Sequence, residues 1–249
     1  MSSVEFDGKV ALVTGAGSGT GAATALLLAE RGAAVTVVGR RQSKTDEVAA
    51  QITSKGGRAL AIAGDVSIAH TLESAVRATV DAFGALHFGV NNAGATGIFA
   101  PTAEMTEKDW RRVVGTNLDG LFFGMKYEIP AILAAGGGAI VNVSSVFADR
   151  GDRRSTTRPP SMRSAGLPVP QQKKYGALGV RVDGLQPGVI DTEMTQANPE
   201  GTQAVAETGI PMRRVGQARE IATTIAFLPS DDASYIIGAH LAVDGGFLA

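Results

Sequence analysis

Residues 9–21 read KVALVTGAGSGTG, a short apolar run that passes directly into a cluster of glycines. The run from Lys9 to Thr14 is rich in β-branched residues and predicts a buried strand. Residues 22–30 (AATALLLAE) are strong helix formers and end just before Gly32, so a helix is predicted directly after the glycines. The stretch therefore predicts a strand, a glycine turn and a helix, which together open an α/β fold.

The same alternation continues along the chain. Further strands are predicted at Ala34–Val38, Ala59–Ala63, Leu86–Val90, Ala139–Val143, Val180–Leu185 and His240–Val243. Helices are predicted at Ser43–Ser54, at Ser67–Phe83 and, as one long or two short helices with a late kink or break at Pro130, at Thr106–Ala135. We expect residues 1–249 to form a single α/β domain, a doubly wound parallel sheet of about seven strands with helices on both faces.

Composition excludes several function classes. The chain has 249 residues, a net charge of −1 and no cysteine. The charge gives no cationic surplus for binding a nucleic acid, and the lack of cysteine excludes disulfides and thiolate zinc sites. His70, His87 and His240 share no metal-ligand spacing, so no metal is expected. The start lacks the order of a signal peptide and no apolar run could span a bilayer, so we expect a cytoplasmic protein without membrane contact.

The glycine turn predicts a dinucleotide site. Its expected cofactor-binding residues are Gly15, Gly17, Ser18, Gly19, Thr20 and Gly21. Glycines allow a diphosphate to approach the backbone, and the start of the following helix offers unpaired N–H groups at its positive end. Glycines that serve only tight turns would not need this clustering between a strand and a helix.

The end of the second predicted strand indicates which dinucleotide. Arg40 and Arg41 stand where an acidic residue would bind the hydroxyls of the adenosine ribose. Guanidinium groups pair with phosphate, so we expect NADP(H) in preference to NAD(H). The alternative is that one or both arginines are solvated surface charges. After the third strand, Asp65 and Val66 are placed near the adenine, although Asp65 could equally cap the following helix.

Several short motifs together resemble the short-chain dehydrogenase/reductase family, over about residues 5–249 apart from one stretch. In chain order they are TGAGSGTG at 14–21, Asp65-Val66, Asn91-Asn92-Ala93-Gly94, Asn117, Ser144-Ser145, Pro187-Gly188 and VDGG at 243–246. The resemblance implies a Rossmann-type fold, a nicotinamide cofactor, hydride transfer between an alcohol and a ketone, and a homo-oligomer, usually a tetramer. The C-terminal motif resembles that of members acting on 3-oxoacyl thioesters, sugars or cyclic alcohols.

The resemblance also implies roles for individual residues. Asn91, Ala93 and Gly94 would line the cofactor channel, and Asn117 would hold a water of a proton relay. Ser145 would orient the substrate, with Ser144 as the fallback. Taken alone, Asn117 could be a hydrogen bonder at a helix kink, and the two serines could simply end a strand.

A second group would meet the nicotinamide. Pro187 and Gly188 begin that loop, and the Ile190 backbone and the Thr192 hydroxyl would contact the carboxamide. Residues 193–209 would then form a mobile substrate lid. The substrate itself is not specified by these residues.

One segment departs from the family pattern. The family's proton donor is a Tyr followed four residues later by Lys, but Arg158 and Met162 stand at these positions. The surrounding segment, 149–172, is rich in Arg and Pro, and a helix could not run through its prolines without losing hydrogen bonds. None of Tyr127, Tyr175 and Tyr235 has Lys four positions on.

Two explanations fit segment 149–172. In the first, it is the product of an altered reading frame or a sequence error, because Arg, Pro, Ser and Gly dominate it and the pattern resumes at Tyr175 without loss of length. In the second, it is genuine, and the protein is a non-catalytic NADP-binding scaffold or sensor. Tyr175 with Lys173 or Lys174 is a poor substitute, because the order and spacing are wrong.

Overall fold

A computed structural model describes residues 5–97, 101–148 and 174–249. In chain order its strands are β1 (Val10–Thr14), β2 (Ala34–Gly39), β3 (Ala59–Ala63), β4 (Phe88–Asn91), β5 (Gly138–Val143), β6 (Val180–Pro187), β7 (Ile190–Asp191), β8 (Gly216–Gln217) and β9 (His240–Val243). Seven of them form a parallel sheet in the order β3-β2-β1-β4-β5-β6-β9. All seven predicted strands are confirmed, with ends shifted by at most two residues.

Helices cover both faces of this sheet, which confirms the predicted fold class. The helices are α1 (Gly19–Glu30), α2 (Gln42–Ser54), α3 (Ala69–Phe83), α4 (Glu107–Val114), α5 (Gly120–Ala134), α6 (Glu193–Gln196), α7 (Pro199–Gly209) and α8 (Ala218–Phe227). On one face, α1, α2 and α8 bury their apolar side chains against the strands, and on the other face α3 and α5 do the same. These cores are built from the β-branched and leucine-rich runs that the sequence shows at helical and strand spacing.

The long helical region is interrupted, but not where Pro130 predicted. Helix α4 passes into a π-helical turn over Gly115–Asp119, and α5 then continues without a break through Pro130 to Ala134. A π turn widens the helix locally, and such turns occur often at functional sites. Asn117 lies in the middle of this one.

The C-terminal part adds a smaller layer. The two short strands β7 and β8 pair in parallel. Between them lie α6 and α7, which together span the predicted lid. A small core around Val189 and Ala206 joins this layer to Phe147 and Phe247, whose rings meet edge to face 5.5 Å apart.

The topology fixes where a ligand can bind. Strands β2 and β3 follow β1 on one side, and β4, β5 and β6 follow on the other, so the strand order reverses between β1 and β4. In open parallel sheets the crevice at the carboxyl ends of such a pair is the binding position. No described helix is long and apolar enough to cross a membrane. Segment 149–172, with Arg158 and Met162, lies outside the described residues.

Candidate active site

The glycine turn occupies the carboxyl end of β1. Gly15 and Gly19 have φ angles of +65° and +54°, in the region that favours glycine. Ser18 precedes α1 with an extended backbone, and its side chain does not cap the helix. The first N–H groups of α1, those of Gly19, Thr20 and Gly21, therefore remain directed out of the helix start toward the crevice.

Close backbone contacts explain two of the glycines. A side chain on Gly15 would come within 2.8 Å of the Cα of Ala93, and one on Gly21 would overlap the carbonyl oxygen of Gly15. Gly17 is less confined, because the nearest atom to an added Cβ is the Cβ of Lys44, at 3.1 Å. The turn thus packs directly against the loop that follows β4.

Asn92 and Thr14 fasten that loop to the turn. Asn92 Nδ2 donates to the carbonyl oxygen of Thr14 at 3.0 Å, and the Thr14 hydroxyl accepts from the backbone N–H groups of Asn92 and Ala93 at 3.0 and 3.1 Å. The bonds between Asn92 and Thr14 join residues 78 positions apart. They hold the two walls of the crevice at a fixed separation.

Asn91 points the other way, into the core. Its side chain is 5% exposed, and Nδ2 donates to Glu128 Oε2 at 2.9 Å and to Asn142 Oδ1 at 3.0 Å. The family resemblance predicts Asn91 along the cofactor channel, but the side chain supports β4 and β5 from beneath. Because the Asn91 side chain lies on the core face of β4, only the backbone of Asn91 could contact a cofactor. The next residue, Asn92, points to the opposite face.

Glu128 is a buried acid that the sequence motifs did not indicate. It is fully buried on α5, and its Oε1 and the Oδ1 of Asn91 have no hydrogen-bond partner among the described residues. Burial raises the pKa of Glu128 to about 7, with a smaller opposing effect from the hydrogen bond that Asn91 donates. The one available signal was an acid inside the apolar stretch LFFGMKYEIPAILA.

At the far end of the crevice, Arg40 and Arg41 differ. Arg41 is exposed and pairs with Glu193, with 2.8 Å between Nη2 and Oε2. Arg40 is also exposed and forms no ion pair with the described residues. The hydrogen bond and charge of Arg41 lower the pKa of Glu193, so that carboxylate is ionised at neutral pH. No local pattern could predict this pair, because 152 residues separate its members.

Asp65 is engaged in a turn. Its Oδ1 accepts from the backbone N–H of Ser67 at 2.9 Å and from the Ser67 hydroxyl at 2.7 Å. It therefore organises the turn before α3, whose N-cap residue is Ile68 rather than Asp65. Val66 beside it is buried, and a side chain on Gly120 would press on it.

Asn117 clamps the loop after β4. Its Oδ1 accepts from the backbone N–H of Ala95 at 2.8 Å, and its Nδ2 donates to the carbonyl oxygen of Ala95 at 3.0 Å. Gly94 adjoins this amide, since a Cβ there would lie 3.8 Å from Asn117 Oδ1. The π turn and the loop are thus joined, and one amide hydrogen of Asn117 remains for a further partner.

Ser144 and Ser145 follow β5, the strand next to β4. The backbone N–H of Ser144 donates to the carbonyl oxygen of Leu185, and its hydroxyl oxygen is buried without a partner among the described residues. Ser145 is half-buried, and its hydroxyl oxygen accepts from the backbone N–H of Phe147 at 3.3 Å. The hydroxyl proton of Ser145 is therefore available to donate.

The segment after β6 completes the crevice. Gly188 packs so closely on Asp244 that a side chain would approach its Cα to 2.7 Å, and Pro187 ends β6 just before it. Ile190 is buried, and its carbonyl oxygen accepts from the Thr195 hydroxyl at 2.7 Å. Thr192 reaches the glycine turn, because an added Cβ on Gly19 would lie 3.1 Å from its Cγ2.

The residues predicted for the coenzyme site therefore lie on segments that contact one another. The glycine turn contacts the loop 92–95 on one side and Thr192 on the other. No group of three or more potential metal ligands occurs within residues 5–97, 101–148 and 174–249. Of the tyrosines, Tyr127 and Tyr175 pack beside the core beneath the sheet, and Tyr235 is fully exposed.

Comparisons with known proteins agree with this architecture. A family model described as enoyl-(acyl carrier protein) reductase matches residues 15–248. The chain is 39% identical to a cyclohexanol dehydrogenase of Acinetobacter sp. (strain SE19), covering 98% of this chain and 96% of that protein. It is 40% identical to a cis-4-hydroxycyclohexanecarboxylate dehydrogenase of Sinomonas cyclohexanicum, covering 98% of each.

A solved structure shows the same fold. A double mutant of a short-chain dehydrogenase/reductase from Serratia marcescens superposes with a TM-score of 0.92 at 33% identity, covering 98% of this chain and 100% of that one. The protein belongs to the short-chain dehydrogenase/reductase family, whose members are oxidoreductases that use NAD(H) or NADP(H).

Proposed function

We propose that the protein transfers a hydride between NADP(H) and a ketone or secondary alcohol, with a cyclic alcohol as the favoured substrate class. The supporting observation is the glycine turn at the carboxyl end of β1, where Gly15 and Gly21 pack too closely on neighbouring groups to carry a side chain and where no side chain of Ser18 caps the first N–H groups of α1. The names of two relatives, a cyclohexanol dehydrogenase and a cis-4-hydroxycyclohexanecarboxylate dehydrogenase, support a ring alcohol over the 3-oxoacyl and sugar alternatives.

The residues of the crevice fit a dinucleotide. The unpaired N–H groups at the start of α1 would bind the diphosphate, and the positive end of the helix favours its charge. Arg40 has no competing ion pair in the described chain and can bind a 2′-phosphate, together with Arg41. Oδ2 of Asp65 is left for the adenine amino group. When bound, the coenzyme supplies or accepts the hydride.

Ser145 and Asn117 would act at the substrate end. The Ser145 oxygen accepts from Phe147, so its proton can be donated to the substrate oxygen as negative charge develops there. The remaining amide hydrogen of Asn117 can hold a water while the clamp on Ala95 keeps the amide in place. Thr192, which lies against Gly19, would meet the carboxamide of the nicotinamide.

The experiment combines coenzyme binding with turnover. We expect NADPH to bind with saturable nicotinamide fluorescence and to support reduction of cyclohexanone. The Ser145→Ala variant should lose about a hundredfold in kcat, the size of effect seen when one oxyanion donor is removed, with an unchanged Kd for NADPH. Ser144→Ala is the matched control and should retain kcat. Loss of turnover in Ser144→Ala alone would transfer the role to that residue.

The second candidate function is coenzyme binding without turnover. It is favoured by Arg158 and Met162, which occupy the positions of the family's Tyr and Lys. Saturable NADPH binding with no reduction of any ketone in a panel would support it. Tandem mass spectrometry across residues 145–180 of the purified protein distinguishes the two explanations of this segment, because a Tyr-x-x-x-Lys peptide would restore the family's acid and base.

Two further proposals concern the setting of the activity. We expect a cytoplasmic location and a homo-oligomer, either a tetramer or a dimer. Subcellular fractionation tests the first. Light scattering coupled to size-exclusion chromatography tests the second, with a monomer as the contradicting result.

A further inference from the structure

The ion pair between Arg41 and Glu193 joins two parts of the site that have different tasks. Arg41 lies between β2 and α2, in the segment expected to face the adenosine ribose, and Glu193 is the first residue of α6, where the predicted lid begins. Both side chains are more than half exposed, and 2.8 Å separates their charged atoms. The pair therefore bridges the two rims of the crevice.

The surroundings place this bridge beside the glycine turn. Thr192, next to Glu193, lies against Gly19, and hydrogen bonding from Ser18 contributes to holding the Glu193 carboxylate ionised. Lys44 is also near: it pairs with Glu47 at 2.8 Å, and its charge makes a smaller contribution to lowering the pKa of Glu193. Glu193 is thus an ionised carboxylate held at the rim where the diphosphate and the adenosine ribose would pass.

A 2′-phosphate would compete with Glu193 for the same guanidinium. Arg41 can bind the carboxylate or the phosphate in its bidentate geometry, and the two anions repel each other when both are close. A ribose that carries a hydroxyl at this position brings no such competition. We infer that Glu193 is a specificity-determining residue, an inference that rests on the proposed coenzyme site. By occupying Arg41, Glu193 weakens the binding of NADP(H) relative to that of NAD(H).

The lid is then sensitive to the coenzyme. With NAD(H) bound, the Arg41–Glu193 pair remains and holds the start of α6 across the glycine turn. With NADP(H) bound, Arg41 turns to the phosphate, and the start of α6 loses this contact. Arg40 has no ion pair in the described part of the chain. It can therefore bind the 2′-phosphate without competing with Glu193.

The test is the ratio of the dissociation constants of NADH and NADPH, measured by nicotinamide fluorescence in the intact protein. Glu193→Gln should tighten NADPH by about threefold and leave NADH nearly unchanged, as expected for an exposed charge pair. In the Arg41→Ala background the same substitution should change the NADPH affinity by much less, because the contested cation is gone.

A matched control is available. Glu30→Gln removes an exposed carboxylate that pairs with Arg219 at 2.9 Å, a long-range pair like the first. Glu30 lies at the other end of α1, about 16 Å along the helix from Gly19. This variant should leave the ratio unchanged, and any general effect of losing a surface ion pair would appear in it.

The outcomes separate the role of Glu193 from the proposed function. If neither coenzyme binds the wild-type protein, the proposed function fails. If both bind and Glu193→Gln leaves their ratio unchanged, or weakens both equally, the inference alone is overturned. An equal gain in NADPH affinity with and without Arg41 would also overturn it, because the effect would then be general electrostatics.

Discussion

Asn91 and Asn92 are neighbours in the chain and have opposite environments. Asn92 faces the glycine turn, and its backbone and side-chain N–H groups donate to Thr14 and Gly15. Asn91 faces the core and meets Glu128, and one oxygen of each of these two side chains has no partner in the described structure. Two consecutive asparagines thus belong to different hydrogen-bond networks, one at the glycine turn and one in the core.

The two networks differ in whether they contain a group that gains or loses a proton near neutral pH. In the Asn92 network, amide N–H groups donate to the Thr14 hydroxyl and to backbone carbonyls, and none of these groups titrates near neutral pH. The Asn91 network has two unpaired acceptors, and a proton on Glu128 would give one of them a donor. Unpaired buried acceptors are costly, which agrees with the raised pKa of Glu128. The neutral network of Asn92 and Thr14 therefore holds the loop after β4 against the glycine turn. The titratable network of Asn91 and Glu128 lies on the core side of the same strand end.

The largest expected effect is on the pH dependence of stability. The pKa of Glu128 is raised from 4.5 to about 7, so its neutral form contributes stability that is fully present below about pH 4.5. That contribution is lost as the pH rises to about 7, on the order of 3 kcal/mol in total. Urea denaturation at pH 5.5 and pH 8 measures the part of this loss that falls between pH 5.5 and 7, about 2 kcal/mol.

Glu128→Gln isolates this group from others, such as Asp183, whose pKa burial also raises. Glutamine keeps the shape and supplies the N–H donor at every pH. We expect the difference in unfolding free energy between the wild type and this variant to shift in favour of the variant as the pH rises. A difference independent of pH would show that Glu128 does not titrate in this range.

The next effect is on the crevice itself. Gly21→Ala would force its new carbon onto the carbonyl oxygen of Gly15, so the turn must shift. We expect the NADPH affinity to fall by about thirty- to a hundredfold, or about 2 to 3 kcal/mol. Titration of nicotinamide fluorescence measures this change.

Gly84→Ala is the control for general destabilisation. Gly84 ends α3 with a φ of +85°, and an added Cβ would meet nothing within 4 Å. We expect about 1 kcal/mol of lost stability from the strained backbone and no change in coenzyme affinity. Equal losses of affinity in both variants would mean that the glycine turn has no special part in binding.

The smallest effect contrasts the two asparagines. Asn92→Ala removes the bond to the Thr14 carbonyl and frees the loop that packs on Gly15. We expect NADPH to bind about three- to tenfold more weakly, with about 1 kcal/mol of lost stability. Asn91→Ala should instead destabilise the protein by about 1 to 3 kcal/mol and change the NADPH affinity little. The reverse order of affinities would contradict the division between the two networks.

Much of the fold was predictable because the inner strands of the sheet, β1, β2, β4, β5 and β6, are buried on both faces. Such strands read as continuous apolar runs rich in β-branched residues. The edge strands β3 and β9 are more exposed, and their bounds at 59–63 and 240–243 were nevertheless predicted without error. The glycines at 15 and 21 were predictable for a similar reason, since only a close backbone approach requires glycine there.

The features that could not be predicted depend on distant contacts. The π turn arises where α4 meets α5, and nothing in GTNLD distinguishes it from an ordinary helix. Glu128 looks like an interruption in an apolar helix until Asn91 is brought against it. The inward direction of Asn91 depends on where β4 ends, and a shift of one residue would have reversed it.

The central claim is that the crevice between β1 and β4 binds a nicotinamide coenzyme. The most direct measurement is an equilibrium titration of the wild-type protein with NADPH by nicotinamide fluorescence, with Gly21→Ala measured in parallel. We predict saturable binding by the wild type and an affinity lower by at least about tenfold in the variant. No saturable binding up to millimolar NADPH, or the same affinity in both proteins, would contradict the claim.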